Sequence, residues 1–305
     1  MSDQFFYMSD PKMMQKVPRP VKTYHTQTYD RITTQHGFEG QGKTVLITGG
    51  ATGIGYAMST AFIKAGIQRL VIIARSPEPL QKAKTELETK YPNTEVLTYS
   101  ASINDHVRMK EILAEVQSID VMILNAAAFQ PNVPPTELDT EFLSNSFETN
   151  VMAPFELIRE FLKLPTTSTT PRIVLNVSTA GAVLTVPGTS VYGASKQSLS
   201  FLLQHFAVAQ EMTKATTEQE EQKVRFVNFH PGVIPSDTAA SIIPKGLIEW
   251  EDIQLPADFS VWLAGPQSGF LQGRFVWAQW DVDELIALKE RVVKDPSFLT
   301  IGLVQ

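Results

Sequence analysis

Tyr192 and Lys196 stand four residues apart in the stretch YGASK. On a helix that spacing places both side chains on one face, one turn apart. A phenol ordinarily loses its proton near pH 10, which makes it a feeble base at neutral pH. A neighbouring ammonium favours the phenolate and lowers that value. The pair can then exchange a proton with an alcohol or a carbonyl, a contribution typically worth about 10²–10⁴-fold in rate. Taken alone, the same spacing occurs in ordinary amphipathic helices.

A second constellation is TGGATGIG, Thr48 to Gly55. It follows a β-branched apolar run and precedes a helical pattern. Glycines at such a junction allow a tight turn, let a pyrophosphate approach the backbone and aim a helix N-terminus at negative charge. The spacing Gly49, Gly53, Gly55 differs from the common G-x-G-x-x-G. Arg75 stands about 20 residues beyond Gly55, at the end of the second apolar run, where an acidic residue would accept the ribose hydroxyls of NAD. An arginine there can instead pair with the 2′-phosphate of NADP, so NADP(H) is expected ahead of NAD(H).

Other chemistries lack their residues. The chain has no cysteine, which removes disulfides, thiolate nucleophiles and Cys-ligated zinc. Its five histidines (His25, His36, His106, His205 and His230) never fall three to five apart, so no metal site is expected. Of 305 residues, 43% are hydrophobic and 19% charged, an ordinary globular balance, and the net charge is −6 without a basic run. Nucleic acid and anionic membranes are therefore poor partners. The N-terminal MSDQFFYMSDPKMMQKVPRP does not read as a signal peptide, and no run approaches the roughly 18 apolar residues of a membrane span. A cytoplasmic protein is expected.

The elements that must position these residues alternate. Residues 1–42 read as a partly extended arm. The domain then runs over 43–305, with strands at 43–50, 69–75, 94–100, 120–127, 172–178, 223–232 and 273–281. Helices are expected at 54–66, 79–90, 105–117, 139–164, 192–214 and 282–294. Strands apolar on both faces, alternating with helices, point to one α/β domain with a doubly wound, Rossmann-type parallel sheet.

In this order and spacing, TGGATGIG, NAA (125–127), Asn150 in TNV, NVST (176–179), YGASK and PGVIPS (231–236) resemble the single-domain short-chain dehydrogenases/reductases. The resemblance covers about residues 43–280, and YHTQTYD and RFVWAQWDVDEL are similar to a fungal branch often found in secondary metabolism. It implies that Tyr192 is the general acid in ketone reduction, that Lys196 binds the nicotinamide ribose, and that Asn150 holds a relay water. The carbonyl-holding hydroxyl falls on Thr179, with Ser178 beside it. The implied cofactor contacts are Thr48, Gly49, Thr52, Gly53, Ile54, Gly55, Arg75, Ser76, Ser102, Asn125, Ala126, Pro231, Gly232, Ile234 and Ser236, together with Tyr192 and Lys196. Two positions depart from the family: Ala127 replaces a usual glycine, and Ser102 an aspartate that holds the adenine amine.

His230, before Pro231, reads as a satisfied strand-end residue, and the tryptophans Trp250, Trp262, Trp277 and Trp280 as core or subunit contact. Residues 237–256, rich in Ile and Leu, are expected to form a substrate lid suited to a hydrophobic carbonyl or alcohol. The helix after Tyr192 is apolar over much of its surface (Leu199, Phe201, Leu202, Leu203, Phe206, Val208), which predicts a homodimer or homotetramer. The expected activity is NADP(H)-dependent hydride transfer between carbonyl and hydroxyl. Two alternatives stay open: isomerisation, dehydration or cyclisation on the same fold, and a non-catalytic dinucleotide-binding regulator.

Overall fold

The structure is a computed structural model that describes residues 17–130, 133–165, 170–214, 224–235 and 250–302. The chain enters as an arm with a single helical turn, α1 (Asp30–Thr33). Val21, Ile32 and Phe38 bury their side chains, so the arm is part of the core's cover. Polar contacts pin it near the C-terminus: His25 Nε2 lies 3.0 Å from Asp281 Oδ2, and Arg31 Nε 2.7 Å from Asp283 Oδ1.

The first strand, β1 (Thr44–Thr48), is TVLIT, buried at every position. Helix α2 (Gly53–Lys64), strand β2 (Arg69–Ala74), helix α3 (Pro77–Lys90), strand β3 (Glu95–Ser100), helix α4 (His106–Val116) and strand β4 (Val121–Leu124) follow in strict alternation. Asp105 caps α4 by accepting from the Arg108 N–H, which satisfies one of the amides that a helix start leaves unpaired.

The helix expected over 139–164 is broken. It consists of α5 (Thr140–Phe147), a wide π-type turn over Glu148–Met152, and α6 (Ala153–Lys163). Pro154 has no N–H to offer the carbonyl of Asn150 four residues back, so α geometry cannot run through this point. Strand β5 (Arg172–Val177), helix α7 (Ser190–Lys214) and strand β6 (Val224–His230) complete the site-bearing half.

Helix α8 (Gln254–Ala264) was not expected from sequence. Nine of its residues, Leu255 to Ala257 and Phe259 to Ala264, are buried, so it shows no polar stripe by which a surface helix is recognised. Strand β7 spans only Phe275–Trp277, shorter than the expected 273–281. Beyond it the chain leaves the sheet and pairs with the arm: His25 N donates to the Gln279 carbonyl at 2.7 Å, and Tyr24 forms a bridge with Trp280. The expected C-terminal helix divides at Leu288 into α9 (Val282–Ala287) and α10 (Lys289–Lys294).

All seven strands are parallel, in the order β3-β2-β1-β4-β5-β6-β7. Two apolar layers cover the sheet. One contains Met58, Phe62, Phe259 and Trp262 from α2 and α8, the other Ile112, Phe161, Leu199 and Leu203 from α4, α6 and α7. The strand order reverses between β1 and β4, and at such a switch point a crevice opens beyond the strands' carboxyl ends.

Candidate active site

That crevice is a cavity of about 670 Å³ running from the β1–α2 turn past Arg75 and Asn125 to Tyr192 and Ile234. At one end the backbone turns at Gly49 (φ +68°), where a Cβ would stand 2.9 Å from Asn125 Nδ2. At Gly55 a Cβ would meet the Gly49 carbonyl at 2.1 Å, so side chains are excluded from the inside of the turn. Gly53 also has positive φ (+53°) but faces open space, at the point where α2 directs its free amides outward. This cradle fits a pyrophosphate.

Of the residues expected here, Gly49, Thr52, Gly53, Ile54, Gly55, Arg75, Ser76, Ser102, Asn125 and Ala126 line the cavity. Arg75 and Ser76 are exposed at its far end. Ser102 accepts from the Asn104 N–H at 3.3 Å, an oxygen engaged in the turn before α4. Thr48 does not reach the cavity. It is buried, and its hydroxyl accepts from the amides of Asn125 (3.0 Å) and Ala126 (3.1 Å), clamping β1 to the end of β4. Asn125 Nδ2 returns bonds to the carbonyls of Thr48 and Gly49, which makes it a support of the glycine turn.

At the other end, α7 presents Tyr192 to the cavity, with Lys196 one turn further in and 2% exposed. Lys196 Nζ donates to the Val177 carbonyl at 2.8 Å and lies 6.0 Å from the centre of the Tyr192 ring. Burial pushes the phenol up to about 12 and the ammonium down to about 8. Both shifts have one cause: a dry site disfavours charge of either sign. At neutral pH the phenol keeps its proton and Lys196 its charge.

Ser178 and Thr179 are distinguished by their partners. Ser178 Oγ is buried against Ser200 Oγ at 2.9 Å, within a polar cluster in which Asn176 Nδ2 donates to Asn228 Oδ1 at 2.9 Å. This cluster holds α7 to β5 and β6. Thr179 is half-buried at the cavity wall, and its oxygen accepts from the Gly181 N–H at 3.3 Å, leaving the hydroxyl proton to give. The Asn150 side chain grips the main chain: Oδ1 accepts from Ala128 N (2.7 Å), while Nδ2 donates to Ala128 O (2.9 Å) and Ser195 Oγ (3.0 Å). It holds protein at the π-type turn, with one lone pair of Oδ1 left over.

His230 is also at the wall. Its Nδ1 accepts from the Ala180 N–H at 3.1 Å, and burial drives its pKa down to about 3, so the ring is neutral. Pro231, Gly232 and Ile234 line the cavity beside it. Ser236, and residues 237–249 of the expected lid, lie outside the described residues. Glu251 holds the Pro231–Ile234 turn, accepting from Val233 N at 2.8 Å and from Gln279 Nε2 at 3.1 Å. Sequence patterns did not single out Glu251, Gln130, Phe129 or Asn228, because each acts through a partner distant in the chain. Among the described residues no group of three potential ligands could hold a metal ion, and no helix is long and apolar enough to cross a membrane.

The comparisons with known proteins agree with this geometry. The family model described as short chain dehydrogenase matches residues 43–245. A short chain dehydrogenase/reductase of Aspergillus novofumigatus, nsrO, is 45% identical over 94% of this chain and 97% of its own length. One of Aspergillus aculeatus, AacuD, is 46% identical over 94% of this chain and 97% of its own. A solved structure of a putative short chain dehydrogenase from Pseudomonas syringae has the same fold, with a TM-score of 0.71 at 23% identity, covering 80% of this chain and 97% of that one. The chain belongs to the short-chain dehydrogenase/reductase family, whose fold binds a nicotinamide dinucleotide, and its relatives at this level of identity are fungal.

Proposed function

We propose that the protein is an NADP(H)-dependent oxidoreductase that interconverts a carbonyl and a hydroxyl on a hydrophobic small molecule. The observation that carries this reading is one cavity with a phosphate-sized glycine cradle at one end and Tyr192, backed by Lys196, at the other. The glycine turn would hold the pyrophosphate, Arg75 and Ser76 the adenosine end, and Pro231 to Ile234 with Lys196 the nicotinamide end. When bound, the dinucleotide supplies or takes up a hydride at the carbonyl carbon. Tyr192 donates the proton to the carbonyl oxygen in reduction and recovers it in oxidation. Thr179 donates a hydrogen bond to that oxygen, and Lys196 stabilises the phenolate left behind. Around Tyr192 the wall is formed by Phe129, Val186, Pro187, Val233 and Ile253 with the neutral His230, and no carboxylate lines it among the described residues. That composition supports an uncharged, apolar substrate.

The reading is tested by following NADPH absorbance against a panel of ketones and polycyclic alcohols. Stoichiometric NADPH oxidation that Tyr192→Phe abolishes is the expected result. Turnover without nicotinamide oxidation would instead mean isomerisation, dehydration or cyclisation, and NADPH binding without turnover a regulator. Cofactor choice has its own test. Arg75→Asp removes a charge-assisted pair to the 2′-phosphate and is expected to weaken NADPH binding about 10–100-fold, with NADH affected only a few-fold. An unchanged preference in fluorescence titrations would make Arg75 a surface residue only.

We further place the protein in the cytoplasm, in fungal secondary metabolism, and in a homodimer or homotetramer. The first rests on the lack of cysteine, the second on the resemblance to the fungal branch and the Aspergillus relatives. The third rests on α7, whose outer face leaves Phe201 46%, Val208 53% and Met212 67% exposed, an apolar stripe that water does not favour. Sedimentation at a multiple of 33.9 kDa is expected, and a monomer at micromolar concentration would count against it.

A further inference from the structure

We propose, resting on the reading of Tyr192 as the proton-transferring group, that Gln130 is a positioning residue whose neutral side-chain carbonyl anchors the first turn of α7 and so aims the phenol into the cavity without adding charge beside it. A helix start leaves its first amides unpaired, and the residue before the helix normally caps them. Here Thr189 does not: its hydroxyl donates to the Val186 carbonyl at 2.8 Å. The cap arrives from beyond β4. Gln130 Oε1 accepts from Val191 N at 2.8 Å and from Tyr192 N at 3.1 Å, and its Nε2 lies 3.4 Å from Ser190 Oγ. Gln130 is 1% exposed.

The segment that carries Gln130 is itself anchored. Asn150 bonds both main-chain polar atoms of Ala128, and Phe129 lies against the Tyr192 ring, centroids 4.7 Å apart. From the other side, Ser195 Oγ donates to the Tyr192 carbonyl at 2.8 Å and accepts from Asn150. Main-chain nitrogen, main-chain oxygen and ring of Tyr192 are thus all held, two of them by residues 129–130.

The neutrality of the cap separates function from folding. A carboxylate in the place of the Gln130 amide would accept the same two N–H groups, and helix N-termini favour negative charge. The two N–H groups and the helix start offset part of the cost of burying that charge, so glutamate can replace glutamine in the fold at some loss of stability. Beside a phenol that must ionise, however, a carboxylate opposes the phenolate. The other titratable groups facing Tyr192 are Lys196 on its own helix and His230 from β6, with Arg75 at the far end of the cavity.

The test uses the full chain saturated with NADP+ and reads the phenol's pH midpoint by ultraviolet difference spectroscopy against Tyr192→Phe. Gln130→Glu is expected to fold, at a melting temperature lowered by the burial of its charge, and to move the midpoint upward by about one unit. Gln130→Met, neutral and without an acceptor, is expected to leave the midpoint near the wild-type value and to speed hydrogen exchange of the Val191 and Tyr192 amides at least about tenfold. An unmoved midpoint in Gln130→Glu, or unchanged exchange in Gln130→Met, overturns the proposal. Either result alongside an inactive Tyr192→Phe leaves the enzymatic reading standing. NADPH oxidation that survives Tyr192→Phe removes that reading and this inference with it.

Discussion

Tyr192→Phe is expected to lower turnover by about 10²–10⁴-fold while leaving NADPH affinity within about twofold of wild type. The substitution removes one oxygen and keeps the ring that rests on Phe129, so the wall of the cavity is preserved. What disappears is the proton. Burial holds the phenol in its protonated form at neutral pH, which is the form that ketone reduction consumes. The companion substitutions locate the second donor. Thr179→Val should cost about 10–10³-fold, the scale of losing one hydrogen bond to a developing oxyanion. Ser178→Ala should cost less in rate, because that hydroxyl is already turned to Ser200. If Ser178→Ala proves the more damaging, the carbonyl-holding role belongs to Ser178. A Tyr192→Phe protein that keeps most of its rate would remove the phenol from the chemistry altogether.

Lys196→Met should abolish turnover and at the same time raise the melting temperature of the cofactor-free protein at neutral pH. The ammonium is 2% exposed, and the protein hydrogen bond it makes is to the Val177 carbonyl. Its pKa falls from 10.5 to about 8 because burial penalises the charge. At pH 7 the folded chain therefore carries a cost on the order of 3 kcal/mol that a methionine of similar length does not. The sign of the pH dependence follows. Between about 8 and 10.5 the unfolded chain binds more protons than the folded one, so wild-type stability rises with pH there. The advantage of Lys196→Met is full below about pH 8 and fades across that window. Activity runs the other way: reduction should decline as pH rises through about 8, where Lys196 loses the charge that stabilises the phenolate. Lys196→Met melting at or below the wild-type temperature at pH 7 would show that the ammonium is better compensated than its single protein contact implies.

This conflict between stability and chemistry runs through the site. Asn176, Asn228, Ser178 and Ser200 bring polar groups into the layer beneath Tyr192, and Asn176 Oδ1 is left without a partner there. An apolar layer would pack at lower cost. The cluster instead fixes the rotation of α7 against two strands, which sets where the phenol and the ammonium point.

Much of this was readable along the chain. Runs such as TVLIT and RLVIIA, apolar on both faces, announce central parallel strands, because only a strand covered on two sides dispenses with alternation. Tyr192 and Lys196 share a helical face by spacing alone, and the glycines of residues 49–55 answer a local steric demand. Helix α8 was not readable, since a segment buried all round carries no period, whereas the break at Asn150 follows from Pro154, whose missing N–H the sequence already displays. The order of types along the chain thus determined the sheet, the glycine turn and the shared face of Tyr192 and Lys196, all of which rest on local periodicity and local sterics. Folding alone decided that the Ser178 hydroxyl turns to Ser200, that Asn150 grips Ala128, and that Gln130 caps α7, because each of these is a hydrogen bond whose partner is chosen by packing across the sheet.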